Sequence, residues 1–427
     1  MSKIALHEVF GVAQRVKEHS YVDRGGLDNQ LRYALAAERH VAVHGASKQG
    51  KSWLRSRVLD EHAFVLVQCQ IGSSIESLFT DALGALGVRA ELRRTSTNDF
   101  DGTLNFGVSG SLGHGLLAKM GITGNAIAKA GENTAVESQA VGQTPGNLRW
   151  VAQTMRAAGK SLVIEDCHYL ADGILKDLAF VLKALDGYGL HLLIAGIWAQ
   201  DNPLTYYNGE LFGRFEDIHL TWTDEELDKV LSIGSRALNM EMGVNIRRML
   251  IADAAGNVGL LQQLAESLCR QERILERQSG FKYLTPGPSL ERARHAVAGT
   301  MRRRFEMFAA NFADAARRIG NTGSAAAPLL VLRGLIGFDD DELLDGVGHD
   351  ELATSLRCLG ATQKVVNSID AVLADMAETQ AAMAIRPPVF SYNQHTQEIA
   401  LSDRSLLFFR KYGKPRWPWD GASSRDA

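Results

Sequence analysis

Cysteine and long apolar runs are scarce in this chain. The four cysteines, Cys69, Cys167, Cys269 and Cys358, stand far apart with no Cys-x-x-Cys pair among them. That spacing argues against a disulfide framework or a zinc site and fits a reducing cytoplasm. No run of about 18 apolar residues occurs, so no membrane-spanning helix is expected. Residues 1–24 lack the apolar stretch of a secretory signal. Charge of one sign is missing too: 46 Lys and Arg against 49 Asp and Glu leave a formal net charge of −3. Such a balance exerts no global pull toward nucleic acid, although local patches can act. What is present is ordinary globular material, 45% hydrophobic and 22% charged over 427 residues. That composition excludes a wholly disordered or collagen-like chain, and the length allows roughly two to four domains.

Two stretches, 27–94 and 147–222, alternate helical and strand patterns. Apolar runs at 40–45, 63–70, 161–167, 190–196 and 216–222 read as strands, the first two as buried ones. Helical spacing of apolar residues marks helices at 27–39, 51–62, 73–87, 148–160 and 173–189. Near-continuous apolar strands separated by helices predict an α/β fold with a parallel sheet covered on both faces. From 223 onward the pattern is almost wholly helical, with helices at 225–240, 260–278 and 297–318. Three further helical segments, 328–336, 349–359 and 364–382, precede a hairpin signal near 389–401 and a last helix at 405–413.

The strand at 40–45 runs directly into Gly45-Ala46-Ser47-Lys48-Gln49-Gly50-Lys51-Ser52, and a helix follows. GxxxxGK[ST] at a strand-to-helix turn is a phosphate loop. Its glycines let the backbone wrap a phosphate with N–H groups pointing inward, and the helix start adds a positive dipole end. Lys51 is expected on the β- and γ-phosphates of ATP, and Ser52 on Mg²⁺ through its hydroxyl. The strand at 161–167 carries Glu165-Asp166 at the sheet edge that faces such a loop. Two carboxylates there can hold hydrated Mg²⁺ and polarise an attacking water. Glu165 is expected on the metal side and Asp166 on the water side, and the two can exchange roles. Cys167 and His168 read as packing or orienting residues.

These motifs resemble the STAND branch of the AAA+-related P-loop ATPases over roughly residues 20–270. Glu165-Asp166-Cys167-His168-Tyr169-Leu170-Ala171-Asp172 is similar to the family's Asp-Asp-x-His-Trp-x-x-Asp. Tyr21-Val22-Asp23-Arg24-Gly25-Gly26-Leu27 resembles its adenine-side apolar-Val-Gly-Arg segment, with Asp23 in place of Gly. Gly213-Arg214-Phe215-Glu216 resembles a Gly-Arg-Phe-Asp segment, a likeness that implies Arg214 reaches the γ-phosphate of a neighbouring subunit. Ala255-Gly256-Asn257-Val258-Gly259 sits where a Gly-Asn-x-Arg sensor is expected. Two departures stand out. Ile197-Trp198 occupies the place of a polar or arginine sensor, and Gly259 that of the second sensor's arginine. Gln200 or Asn202 is a substitute for the first. Losing both contacts to the γ-phosphate implies slow hydrolysis, as suits a nucleotide-gated switch.

The resemblance and the patterning together predict a P-loop NTPase of AAA+/STAND-like architecture. Residues 1–222 form the ATPase domain with a glycine-rich insert at 95–146. Residues 223–322 form an α-helical lid, 323–413 a winged-helix domain and 414–427 a tail. Ten glycines lie between 99 and 146, in a loop longer than a compact domain needs. Their spacing and the apolar residues among them suggest an edge hairpin or helical pair used in self-assembly; a disordered surface loop is the alternative. Arg302-Arg303-Arg304 forms a basic cluster that could contact phosphate. The third winged-helix segment carries Asp370, Asp375 and Glu378 against Lys364, which argues against major-groove docking and toward a protein contact. The basic tail, Arg404 to Arg416 with Trp417 and Trp419 beside it, reads as a packed segment before it reads as a nucleic-acid contact. The leading expectation is a cytoplasmic, ATP-binding and slowly hydrolysing switch that assembles as a homo-oligomer. A DNA-associated AAA+ ATPase of origin-recognition or transposition type is the second reading, and a scaffold with a structural nucleotide the third.

Overall fold

Two short apolar runs become the fully buried middle of the sheet. The computed structural model describes residues 3–13, 15–92, 104–108, 144–198, 202–318, 327–382, 385–394 and 396–420. Its first half contains β1 (His40–His44), β2 (Phe64–Gln68), β3 (Val88–Leu92), β4 (Leu104–Val108), β5 (Ser161–Glu165), β6 (Leu192–Ala195) and β7 (Phe215–His219). Five of these form one parallel sheet in the order β2-β5-β6-β1-β7. Every residue of β1 and β6 is buried, as a central strand covered on both faces requires. The expected burial of β2 on both faces does not hold. It is an edge strand whose Leu66 and Gln68 are exposed, so one of its two faces is uncovered there.

Around the sheet stand α1 (Leu6–Val9), α2 (Leu27–Ala36), α3 (Lys51–Val58), α4 (Ile75–Ala85), α5 (Leu148–Ala158), α6 (Asp172–Gly187) and α7 (Pro203–Tyr207). One sheet face packs on α4, α5 and α6 through Phe79, Met155 and Leu178. The other packs on α2 and α3 through Leu31 and Leu54. Local chemistry sets the helix ends. Ser74 and Asn147 accept hydrogen bonds from the N–H groups of Ser77 and Trp150 at the starts of α4 and α5. Within the predicted insert, β4 pairs antiparallel with β3, Val88 opposite Val108 and Leu92 opposite Leu104. The part of the insert from 109 to 143 lies outside the described residues.

The helical second half opens with α8 (Asp224–Ala237), started by a capping box of Thr223 and Glu226. Next come β8 (Met240–Met242), α9 (Val244–Ala254), α10 (Val258–Gln271), β9 (Lys282–Leu284) and α11 (Pro288–Arg318). Neither α9 nor the parallel β8–β9 pair is evident from the sequence pattern, and α11 begins at Pro288 instead of 297. The last stretch holds α12 (Ala327–Gly337), α13 (Asp340–Asp345), β10 (Val347–Gly348), α14 (His349–Cys358), α15 (Gln363–Val366), α16 (Ile369–Ala382), β11 (Phe390–Asn393), β12 (Glu398–Leu401) and α17 (Ser405–Tyr412). Its small antiparallel sheet has the order β10-β12-β11. One cluster of buried residues runs from Phe10 through Leu231, Leu264, Phe305 and Phe308 to Leu352, Phe390 and Phe409. The N-terminal turn, the helical region after β7 and the C-terminal unit are therefore packed on one another.

Candidate functional site

The loop from β1 to α3 is shaped by two glycines and braced from outside. Gly45 has φ 133° and lies so close to β7's continuation that a Cβ would meet the Leu220 carbonyl oxygen at 2.5 Å. Gly50, at φ 88°, turns the chain into α3. The first N–H groups of that helix have no intrahelical partner and face the loop's concavity. Lys51 folds back inside, donating from Nζ to the carbonyls of Gly45 at 3.1 Å and Ala46 at 2.8 Å. Burial pushes its ammonium down to about 8, opposed by the nearby Asp166 and Glu165 carboxylates.

The acidic pair at the end of β5 is split by geometry. Glu165 is the last strand residue and forms an ion pair with Arg55 of α3 at 3.1 Å. Asp166 has φ 62°, which breaks the strand and turns its side chain into the cavity beside Lys51. Burial raises both carboxyls above their usual range, Arg55 opposing the shift at Glu165 and Lys51 at Asp166. Cys167 is fully buried against Cys69, with the sulfurs 3.8 Å apart. His168 accepts from the Ile197 N–H through Nδ1 at 3.3 Å, so its proton sits on Nε2. Burial pushes its pKa down to about 3, and the ring is neutral. Both residues pack and orient, as their sequence context suggests.

A cavity of about 430 Å³ opens between these groups, a size suited to a small organic ligand. Its wall is assembled from distant parts of the chain. Gly11–Ala13, Ser20–Val22 and Arg24 come from the N-terminal segment, Val258 and Gly259 from α10, and Arg386 and Pro387 from the C-terminal unit. Trp53 donates to the Ala13 carbonyl at 2.7 Å, closing the apolar end. Arg24 is buried, stacks 4.1 Å from the Trp222 ring centre and donates to the Thr221 carbonyl at 3.2 Å. Burial lowers its guanidinium to about 10. Gly259 donates to the Lys48 carbonyl at 3.2 Å, and a Cβ there would meet Lys48 Cβ at 2.7 Å. The absent arginine thus has a steric reason: α10 abuts the phosphate loop itself. Ser47 N–H donates to the Ser402 carbonyl at 2.8 Å, a bond across the chain that the sequence pattern does not signal.

Other expected residues stand elsewhere. Arg214 lies at the opposite sheet edge, where its carbonyl accepts from His40 N–H at 3.0 Å and its guanidinium pairs with Asp186. It does not reach this chain's own cavity. Asn202 is buried and caps α7, accepting from Leu204 N–H at 3.1 Å, so it does not serve as a sensor here. Gln200 lies outside the described residues. The Arg302–Arg304 cluster is not an open phosphate patch. Arg302 donates to the Gly413 carbonyl at 2.9 Å, and Arg304 pairs with the fully buried Asp403 at 2.7 Å. In the basic tail, Arg410 donates to the Ile336 and Phe338 carbonyls, Lys411 faces Asp253, and Trp417 stacks on Trp419.

No known family profile and no curated protein matches the chain. Solved structures do match along nearly its whole length. The Walker-type ATPase paby2304 of Pyrococcus abyssi is 14% identical, with 94% of this chain and 99% of that chain covered and a TM-score of 0.52. The Aeropyrum pernix ORC1 protein, solved in complex with DNA, is 11% identical with coverages of 92% and 93% and a TM-score of 0.39. The Thermotoga maritima RuvB Holliday junction branch migration motor is 11% identical with coverages of 93% and 96% and a TM-score of 0.35. At 14% identity the likeness to the P. abyssi protein is one of fold. The class defined by the sheet and its phosphate loop is the P-loop ATPase fold. Among solved members of that class, this chain is similar in fold to the Walker-type ATPase of P. abyssi.

Proposed function

We propose that the chain is an ATP-binding, slowly hydrolysing molecular switch in which the C-terminal unit follows the nucleotide. The observation that carries this reading is the cavity itself. A phosphate loop, an acidic strand end, a helix of the region after β7 and a loop of the C-terminal unit all face one cavity. Residues Gly45 to Ser52 hold the phosphates through backbone N–H groups, with Lys51 on the β- and γ-phosphates. Among the described residues, no cluster of three or more His, Cys, Asp or Glu side chains makes a metal cage. The donors present, the Ser52 hydroxyl and one or two carboxylates, fit Mg²⁺, which is bound with substrate phosphates and keeps several waters. That ion supplies charge neutralisation on the phosphates. Ser52 and Glu165 would hold it once the Glu165 carboxylate exchanges Arg55 for the hydrated cation.

Asp166, in the cavity, accepts a hydrogen bond from the attacking water and orients it toward the γ-phosphorus. The water oxygen bonds to phosphorus, the bond to the β–γ bridging oxygen breaks, and ADP and phosphate leave. Apolar Ile197 and side-chain-free Gly259 contribute no cation to that step, which supports a low rate. In this reading residues 323–413 act as a winged helix that contacts protein. The internal use of Arg302, Arg304 and Arg410 favours that over a DNA contact. Arg214, far from its own cavity, acts on a neighbouring copy in an ATP-dependent homo-oligomer. No helix among the described residues is long and apolar enough to cross a membrane.

Titration with fluorescent ATP tests the site. Lys51→Ala is expected to weaken binding by about tenfold to a hundredfold or more, because a charge-assisted contact to phosphate is lost. Unchanged affinity in a folded Lys51→Ala protein sinks the reading. Asp166→Asn is expected to leave binding within about twofold and to depress phosphate release by about a hundredfold or more. If Glu165→Gln alone gives that phenotype, the two carboxylates carry the opposite roles.

A further inference from the structure

A triphosphate bound in this cavity meets no cation from either of the usual sensor positions. Ile197 is apolar, and Gly259 is pressed against Lys48 with no room for a side chain. Arg24 is committed elsewhere, stacked on Trp222 and bonded to Thr221. One further arginine lines the cavity, and it comes from the C-terminal unit. Arg386 stands at the end of the cavity that holds Asp166 and His168, with its guanidinium 5.0 Å from the Tyr169 ring centre. Val12, Val22 and Trp53 give the cavity an apolar wall that suits a base. Asp166 stands near Lys51, the residue expected on the β- and γ-phosphates, so the Asp166 side is where a terminal phosphate lies.

The Arg386 side chain is exposed, and no hydrogen bond or ion pair ties its guanidinium to another described residue. Its backbone is held firmly. Ile385 N–H donates to the Gln380 carbonyl at 2.9 Å, Arg304 donates to the Pro387 carbonyl at 2.7 Å, and Val389 N–H donates to Gln380 Oε1 at 2.7 Å. Gln380 is fully buried, and Arg304 is anchored on buried Asp403. A held backbone therefore presents a planar cation, resting over the Tyr169 ring, to the Asp166 side of the cavity. Guanidinium groups are suited to bidentate recognition of phosphate.

We propose that Arg386 contacts the terminal phosphate of a nucleoside triphosphate bound by the same chain, so that the C-terminal unit discriminates triphosphate from diphosphate. The inference rests on reading the cavity as an ATP site. Its test is equilibrium titration of the full chain, with Mg²⁺, using a non-hydrolysable ATP analogue and ADP separately. Wild type, Arg386→Gln, Arg386→Lys and Lys51→Ala are compared. Because Arg386 is exposed, its variants are expected to melt with the wild type. Arg386→Gln is expected to lose about tenfold to a hundredfold in affinity for the analogue while keeping ADP within about twofold. Arg386→Lys is expected to recover part of the loss. Unchanged affinity for both nucleotides, or an equal loss for both, overturns the assignment of Arg386. A wild-type protein that binds neither nucleotide, or a Lys51→Ala protein that binds both normally, overturns the ATP reading on which it rests.

Discussion

His40 opens β1 and is fully buried, yet both of its ring nitrogens are satisfied. Nδ1 accepts from Leu192 N–H at 3.1 Å, which leaves the proton on Nε2 to bond the Leu182 carbonyl at 2.8 Å. Burial pushes its pKa down to about 4, with neighbouring His191 and Arg214 adding to the shift and Asp186 opposing it. A folded-state pKa below the ordinary 6.5 means that the folded form resists taking up this proton. The stabilisation is fully present above about pH 6.5, declines as pH falls and is exhausted below about 4. The loss at the acid limit amounts to about 3 kcal/mol relative to neutral pH. The melting temperature is expected to fall between pH 7 and pH 5 and to fall less steeply in His40→Phe. That variant also starts lower at pH 7, because it leaves the Leu192 N–H and the Leu182 carbonyl unpaired. Equal slopes in the two proteins count against the role of His40.

Between elements, one close contact near the site is that of α10 on the phosphate loop. Gly259→Ala places a methyl 2.7 Å from Lys48 Cβ, too close to fit unless the loop shifts. The expected result is a loss of about 1–3 kcal/mol in stability and about tenfold in ATP affinity, read by thermal melting and by titration. This contact marks how far the sequence is legible. The phosphate loop, the acidic strand end and the central strands can be read because each is a contiguous pattern: five consecutive buried residues in β1, or GxxxxGKS at one turn. The absence of an arginine at 259 can be read as well, but its cause cannot, since Lys48 lies about two hundred residues away in the chain. The Ser47–Ser402 bond and the place of Arg386 at the cavity are hidden for the same reason. They depend on which distant segments pack together, and no local periodicity encodes that. The β8–β9 pair escapes notice because each strand has only three residues, too few for alternation to register. Arg302 and Arg304 show the converse. A run of three arginines looks like a patch for an anion, but two of its members point inward to carbonyl groups and a buried carboxylate.

At the scale of the whole molecule, the region after β7 and the C-terminal unit share one buried cluster, and Arg304–Asp403 is a charged pair within their seam. Arg304→Ala strands the fully buried Asp403 without its partner and is expected to cost about 3–5 kcal/mol. It also frees the loop at Pro387. Limited proteolysis is expected to cut the variant near residues 383–388 well before the wild type, and equal cleavage rates count against the pair as a clamp. The cavity wall is drawn from positions as far apart as Gly11 and Pro387. Domains fold in order of emergence from the ribosome at about 5–20 residues per second, so the interval between the phosphate loop and that last wall is on the order of tens of seconds. The sheet and its loop are formed while the enclosure is still being translated. The part of the wall that Arg386 and Pro387 supply therefore joins the cavity last, after the phosphate loop is already in place.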